Sequence, residues 1–166
     1  IRKMREKVPG VVLRTTMIVG HPGEGKRAFA ELLDFVREAR FERLGAFKYS
    51  EEEGTYGAEN FNDRTSAKVK QERLDELMTL QSEISMAFNQ SRVGSEIDVI
   101  VDDYSDGVFV CRSEFESPEV DGEILVRYEG ASLDDVDPYS LIGEFMMVKV
   151  TGADEYDLIA EPLEIL

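Results

Sequence analysis

Cysteine, histidine and tryptophan are almost missing from this sequence, which has one Cys (Cys111), one His (His21) and no Trp in 166 residues. A disulfide within the chain is therefore excluded. A Cys/His zinc site is excluded as well, because the chain lacks enough such ligands. No apolar run approaches the roughly 18 residues of a membrane-spanning helix, and no apolar stretch of a secretory leader follows Ile1-Arg2-Lys3-Met4-Arg5. We therefore expect no membrane partner and a cytoplasmic location. Five Pro and 13 Gly are too few for a collagen-like or low-complexity chain. Because the sequence opens on Ile rather than Met, it reads as a piece of a longer protein.

Basic residues are scarce in one half only. Residues 86–166 hold 4 Lys/Arg against 20 Asp/Glu, whereas residues 1–85 hold 15 of each, so the whole net charge of −16 sits in the second half. A step this sharp predicts two units with different tasks. The acidic unit should be repelled by nucleic-acid phosphates and attracted to basic partners, although acidity also serves solubility. With 42 % apolar residues, there is enough material for a packed core.

The pattern along the chain changes near Gly94. Before it, residues 1–9 read as the end of a basic helix, and residues 11–20 (VVLRTTMIVG) as a buried strand. Ala28, Phe29, Leu32, Leu33, Val36 and Ala39 recur with a 3.6-residue period, which predicts an amphipathic helix over 26–41. A second strand follows at 44–49, making a β-α-β unit with parallel strands. After a polar loop over 50–64, a long helix is expected over about 65–88, with Val69, Leu74, Leu77, Met78, Gln81, Ile84 and Ser85 along one side. Beyond Gly94, five short strands are expected at about 97–103, 108–112, 123–128, 145–150 and 158–161, separated by Gly, Asp and Pro turns. That spacing predicts a small β-barrel, and Ser105-Asp106-Gly107 marks a hairpin within it. The fold class is thus α/β followed by all-β.

Few motifs carry chemistry on their own. Gly20-His21-Pro22-Gly23-Glu24-Gly25-Lys26 fits the spacing of a phosphate-binding loop between strand and helix. Arg27, however, stands where a magnesium-binding hydroxyl belongs, and Pro22 removes one of the N–H groups such a loop must supply. Val99-Ile100-Val101-Asp102, the candidate acidic strand, lies in the other half. Glu51-Glu52-Glu53 reads as solvated carboxylates, Cys111 as a small buried strand residue, and His21 as a surface or cleft residue.

Several longer segments occur together in one order. They are Leu13-Arg14-Thr15-Thr16-Met17-Ile18-Val19-Gly20-His21-Pro22-Gly23-Glu24, then Arg43-Leu44-Gly45-Ala46-Phe47-Lys48-Tyr49-Ser50-Glu51-Glu52-Glu53-Gly54-Thr55, then Leu77 to Ser85 and on to Val93-Gly94. Ser117-Pro118-Glu119-Val120-Asp121-Gly122 and Ala153-Asp154-Glu155-Tyr156-Asp157-Leu158 follow. In these segments the chain resembles the C-terminal part of the radical S-adenosylmethionine methylthiotransferases. The resemblance implies the end of a partial (βα) barrel over 1–88, comprising two β-α units and a linking helix. It implies a five-stranded, OB-like TRAM barrel over 89–166.

Among the family's branches, the resemblance is strongest to the one that methylthiolates an aspartate of small-subunit ribosomal protein number twelve. The alternative is the branch that modifies an adenosine of transfer RNA, with a TRAM domain that grips RNA. The acidic second half favours the basic protein substrate, because an RNA-binding surface needs a Lys/Arg footprint. The family uses S-adenosylmethionine and two 4Fe-4S clusters. With one cysteine, this chain has no set of thiolate ligands for either cluster. Alone, it is expected to be inactive.

By the same resemblance, Thr16, Ile18, Gly20, Gly23 and Glu24 correspond to positions that help hold S-adenosylmethionine. Asp102, Asp103, Glu114, Glu116, Glu119 and Asp121 are the candidate substrate-docking surface. Two parallel strands cannot close a barrel, so residues 1–85 should expose apolar surface. They should be less stable than 90–166, or be covered in an oligomer.

Overall fold

A computed structural model describes residues 1–127 and 137–165 of the chain. Two compact units are present, Ile1–Ile84 and Ser85–Leu166.

The first unit is built on two parallel strands, β1 (Arg14–Val19) and β2 (Arg43–Lys48), joined through helix α2 (Lys26–Ala39). Helix α2 ends where Arg40 takes a left-handed conformation (φ 47°) and returns its N–H to the Val36 carbonyl. The short helix α1 (Arg2–Lys7) is fastened by Arg5, which donates to Glu42 at 2.6 Å and to the Ala39 and Arg40 carbonyls. Glu42 also accepts the Leu13 N–H at 2.8 Å, so one buried carboxylate joins α1, the entry to β1 and the entry to β2. The polar loop expected over 50–64 contains a short helix, α3 (Tyr56–Asn60), capped by the Thr55 hydroxyl.

One face of the β1–β2 ribbon is covered and the other is open. Val19, Leu44, Phe29, Leu33, Val36, Leu77 and Ile84 belong to a buried cluster, with Met17 and Ala46 packed against it. On the opposite face, Thr16 is paired in register with Gly45, and Ile18 with Phe47. Ile18 is 57 % exposed and Phe47 63 %. The expected exposure of apolar surface in this unit is therefore found on one sheet face.

Helix α4 runs over Ala67–Arg92, one turn beyond the expected end at residue 88. Its buried side carries Leu77 and Ile84 but also Lys70, Gln81, Ser85, Asn89 and Arg92. Four of these polar side chains donate to partners on burial: Lys70 to the Tyr49 carbonyl, Gln81 Nε2 to the Phe41 carbonyl at 3.0 Å, Asn89 Nδ2 to the Asp154 carbonyl and Arg92 to Glu116.

The second unit is a closed barrel of β3 (Glu96–Ser105), β4 (Val108–Arg112), β5 (Ile124–Arg127), β6 (Phe145–Ala153) and β7 (Leu158–Ile165), in the order β3-β4-β5-β7-β6. All pairs are antiparallel except β5 with β7. Alternate residues point inward, so Val99, Val101, Phe109, Cys111, Ile124, Val126, Met146, Val148, Val150, Leu158 and Ala160 fill the interior. The β3–β4 hairpin turns at Asp106 and Gly107, both with positive φ (52° and 81°), the backbone of a type I′ turn. β6 and β7 reach further than expected, and a register irregularity between Met147 and Val148 admits Pro162 into β7. Tyr128, expected to end the third strand of the barrel, lies outside the described residues. The α/β unit followed by an all-β barrel agrees with the fold class expected from the sequence.

Candidate functional site

The loop after β1 is held from within the protein. Gly20 has φ 79°, and a Cβ there would lie 2.5 Å from Lys70 Cγ, so only glycine fits. Lys70 in turn donates to the Tyr49 carbonyl at 2.8 Å and to Asp63, and that hydrogen bond holds the Asp63 carboxyl below its ordinary range. Glu24 accepts the Gly20 N–H at 3.1 Å and an N–H of Arg73 at 2.7 Å. The guanidinium of Arg73 sits 5.5 Å from the Phe29 ring centroid. Two cations of α4, Lys70 and Arg73, thus brace the β1–α2 loop. His21 is half-buried, its ring edge-on to Tyr49 (4.9 Å) and Phe61 (5.4 Å), with Nδ1 2.8 Å from the Pro22 carbonyl. This arrangement does not suit a phosphate loop. The Glu24 carboxylate occupies an N–H that a phosphate oxygen would need.

The five residues assigned to this region by resemblance fall into two groups. Thr16 and Ile18 lie on the open sheet face, while Gly20 and Glu24 are engaged inside the loop and Gly23, with φ 88°, is exposed. Gly45, beside Thr16, leaves open space where a side chain would stand. A ligand on this face would meet Thr16, Ile18, Gly45 and Phe47, with Gly20 and Glu24 shaping the loop at its end.

The acidic set of the second unit is not one surface. Glu116 must be removed from it, because its side chain is buried at 6 % exposure. It accepts from Arg92 at 2.6 Å, from the Ser113 N–H at 3.0 Å and from the Ser113 hydroxyl. Burial works to raise its pKa, but the Ser113 hydrogen bonds and the Arg92 charge outweigh it and hold the carboxyl below its ordinary value. Asp121 accepts the Ser117 N–H at 2.7 Å and shapes the loop before β5. Asp102 pairs with Arg112 at 3.0 Å. Asp103, Glu114 and Glu119 are exposed.

A cleft of about 540 Å³ opens on the outer wall of the barrel. Glu96, Ile97, Asp98 and Ile100 line it from β3, Arg112 from β4, Phe145 from β6, and Arg92 with residues 113–115 complete it. Glu96 and Asp98 were not singled out in the sequence. Their alternation with Ile97 and Val99 was the available signal, because it puts them on the outer face of an inward-packed strand.

Cys111 is buried, and burial first, then the Asp102 charge, pushes its thiol up to about 12. It is neither a nucleophile nor a ready metal ligand. Glu51, Glu52 and Glu53 are exposed, and no metal-binding group of His, Cys, Asp and Glu occurs among the described residues. Among those residues, no helix is long and apolar enough to cross a membrane.

Comparison with known proteins agrees with this architecture. Residues 93–163 match the TRAM domain family. The chain is 48 % identical over 163 residues to the ribosomal protein uS12 methylthiotransferase RimO of Phocaeicola vulgatus. It is 49 % identical over 161 residues to that of Bacteroides fragilis and 50 % identical over 160 residues to that of Porphyromonas gingivalis. These matches cover 96–98 % of this chain but 36 % of each relative, so the chain spans about a third of their length. Over nearly all of its own length, the chain is homologous to a part of the RimO methylthiotransferases, and that part includes a TRAM domain.

Proposed function

We propose that the chain is the substrate-docking end of a radical methylthiotransferase that modifies an aspartate of a basic small-subunit ribosomal protein. The carrying observation is 48–50 % identity, over almost the whole chain, to relatives named for methylthiolating uS12. The acidic second unit supports it, because 20 carboxylates against 4 basic residues attract a basic protein and repel RNA phosphates.

The two units divide the work. Iron–sulfur clusters do not fit this chain: its one cysteine is buried in a barrel and its thiol is held protonated. Cluster ligands must come from outside these 166 residues, and the chain alone carries out no methylthiolation. S-adenosylmethionine does fit the open face of β1–β2. Thr16 offers a hydroxyl there, Ile18 and Phe47 offer apolar area, and Gly45 leaves space beside the backbone. When bound, S-adenosylmethionine and the clusters supply the radical chemistry; Thr16, Ile18 and the braced loop at Gly20 and Glu24 bind and orient.

The test is direct. The full-length protein is incubated with S-adenosylmethionine, reductant and either the ribosomal protein or transfer RNA, and products are read by mass spectrometry. A methylthio group on an aspartate of the ribosomal protein is the expected result, with none from the 166-residue chain alone. A methylthio group on an adenosine of the transfer RNA instead would overturn the protein-substrate reading.

A further inference from the structure

The cleft on the barrel wall combines features that rarely meet on a merely solvated surface. Its floor is apolar, from Ile100 and Phe145, which face each other across the β3–β6 pair. Phe145 is 55 % exposed, and among the described residues no ring contact covers it, so its apolar face is open to a ligand. Around this floor stand Glu96, Asp98 and Glu114, none with an ion-pair partner among the described residues. The cleft's own cations do not answer them. Arg92 is committed to Glu116 at 2.6 Å and Arg112 to Asp102 at 3.0 Å, and neither of those acids lines the cleft. The lining therefore carries three carboxylates outside any direct ion pair around an apolar floor, with Lys149 the register neighbour of Glu96 on β6.

Only one class of side chain matches both parts. An aliphatic ligand would bury the carboxylates without compensation, and an anionic ligand would be repelled. Lysine and arginine carry an apolar stem below a cationic head, so the stem can lie on Ile100 and Phe145 while the head reaches the carboxylates. An arginine head also gains from the Phe145 ring face. We propose that this cleft receives a lysine or arginine side chain from an extended segment of the partner protein. The proposal rests on the reading that the second unit docks a basic protein, and it names the place.

The 166-residue chain and a short synthetic arginine-containing peptide suffice for the test, with the citrulline analogue as a neutral control. Backbone amide shifts on titration should cluster over Glu96–Ile100 and Glu114–Phe115. A Glu96→Gln, Asp98→Asn double variant should weaken peptide binding about tenfold. Glu123→Gln with Glu161→Gln makes the same change of charge at exposed positions outside the cleft and should weaken it less than about twofold. Glu114→Gln, on a different segment, should repeat the cleft effect. Equal weakening by both pairs, equal affinity for the citrulline peptide, or shifts confined to other residues would overturn the proposal. So would capture of a single-stranded RNA oligonucleotide at the same residues. If the peptide binds in the cleft but the full-length protein leaves the ribosomal protein unmodified, the functional reading fails and the cleft stands. If modification occurs and the peptide does not bind, the cleft fails alone.

Discussion

Glu116 shows how a carboxylate changes role once it is buried. It satisfies Arg92, an N–H and a hydroxyl at once, and Arg92 also lies over the rings of Phe88 and Phe115 at 5.7 and 5.5 Å. Removing one member strands the other, so Glu116→Gln should destabilise the second unit by about 3 kcal/mol, measured by urea unfolding. Its folded pKa lies below the ordinary 4.5, so its contribution is complete above that value and is lost as pH falls through the folded pKa. The acid limb of the stability profile should therefore steepen below about pH 4.5 in the parent and flatten in Glu116→Gln. Cys111, buried with its thiol pushed up to about 12, should resist a thiol reagent in the native state and react only on unfolding. In sequence Cys111 was readable, because a strand-centred cysteine among Val, Phe and Val points inward. Glu116 was only half legible: the Ser113-x-x-Glu116 spacing carries its bonds to the Ser113 N–H and hydroxyl, but its charge partner Arg92 lies 24 positions away.

At the scale of elements, periodicity announces those that bury apolar faces and misses those that bury polar ones. The α2 stripe at Phe29, Leu33 and Val36 is plain in the sequence and matches the structure. The apolar pattern of α4 fades near residue 88, because Asn89 and Arg92 carry no apolar signal. Asn89 is nevertheless fully buried, with Nδ2 donating to the Asp154 carbonyl at 3.1 Å. The loop between β1 and α2 was recognisable by its glycines and by resemblance, but its bracing by Lys70 and Arg73 needs the third dimension. Gly20→Ala should cost about 1–3 kcal/mol, from left-handed strain plus the approach to Lys70, read by thermal unfolding of the first unit. The open face of β1–β2 predicts the reverse. Ile18→Thr with Phe47→Ser should change stability by less than about 0.5 kcal/mol and lower self-association in sedimentation, because neither side chain is buried within the chain.

For the whole molecule, the two units should differ in resilience. The barrel has no unpaired sheet edge, whereas β1 and β2 form a two-stranded ribbon backed by helices on one face. Amide exchange in dilute solution should leave Phe109, Ile124 and Val148 protected long after Met17 and Ala46 have exchanged. Equal protection in both units of a monomer would contradict this. The barrel order was only half legible, since local turns announce the β3–β4 hairpin but nothing announces β7 lying parallel to β5. That pairing has a consequence for synthesis. Residues 158–165 are the stave that joins β5 to β6, so nothing earlier in the chain can seal the barrel. While translation proceeds, β3, β4, β5 and β6 can only wait as an open, acidic sheet. The barrel can close only once the ribosome has released its final stave.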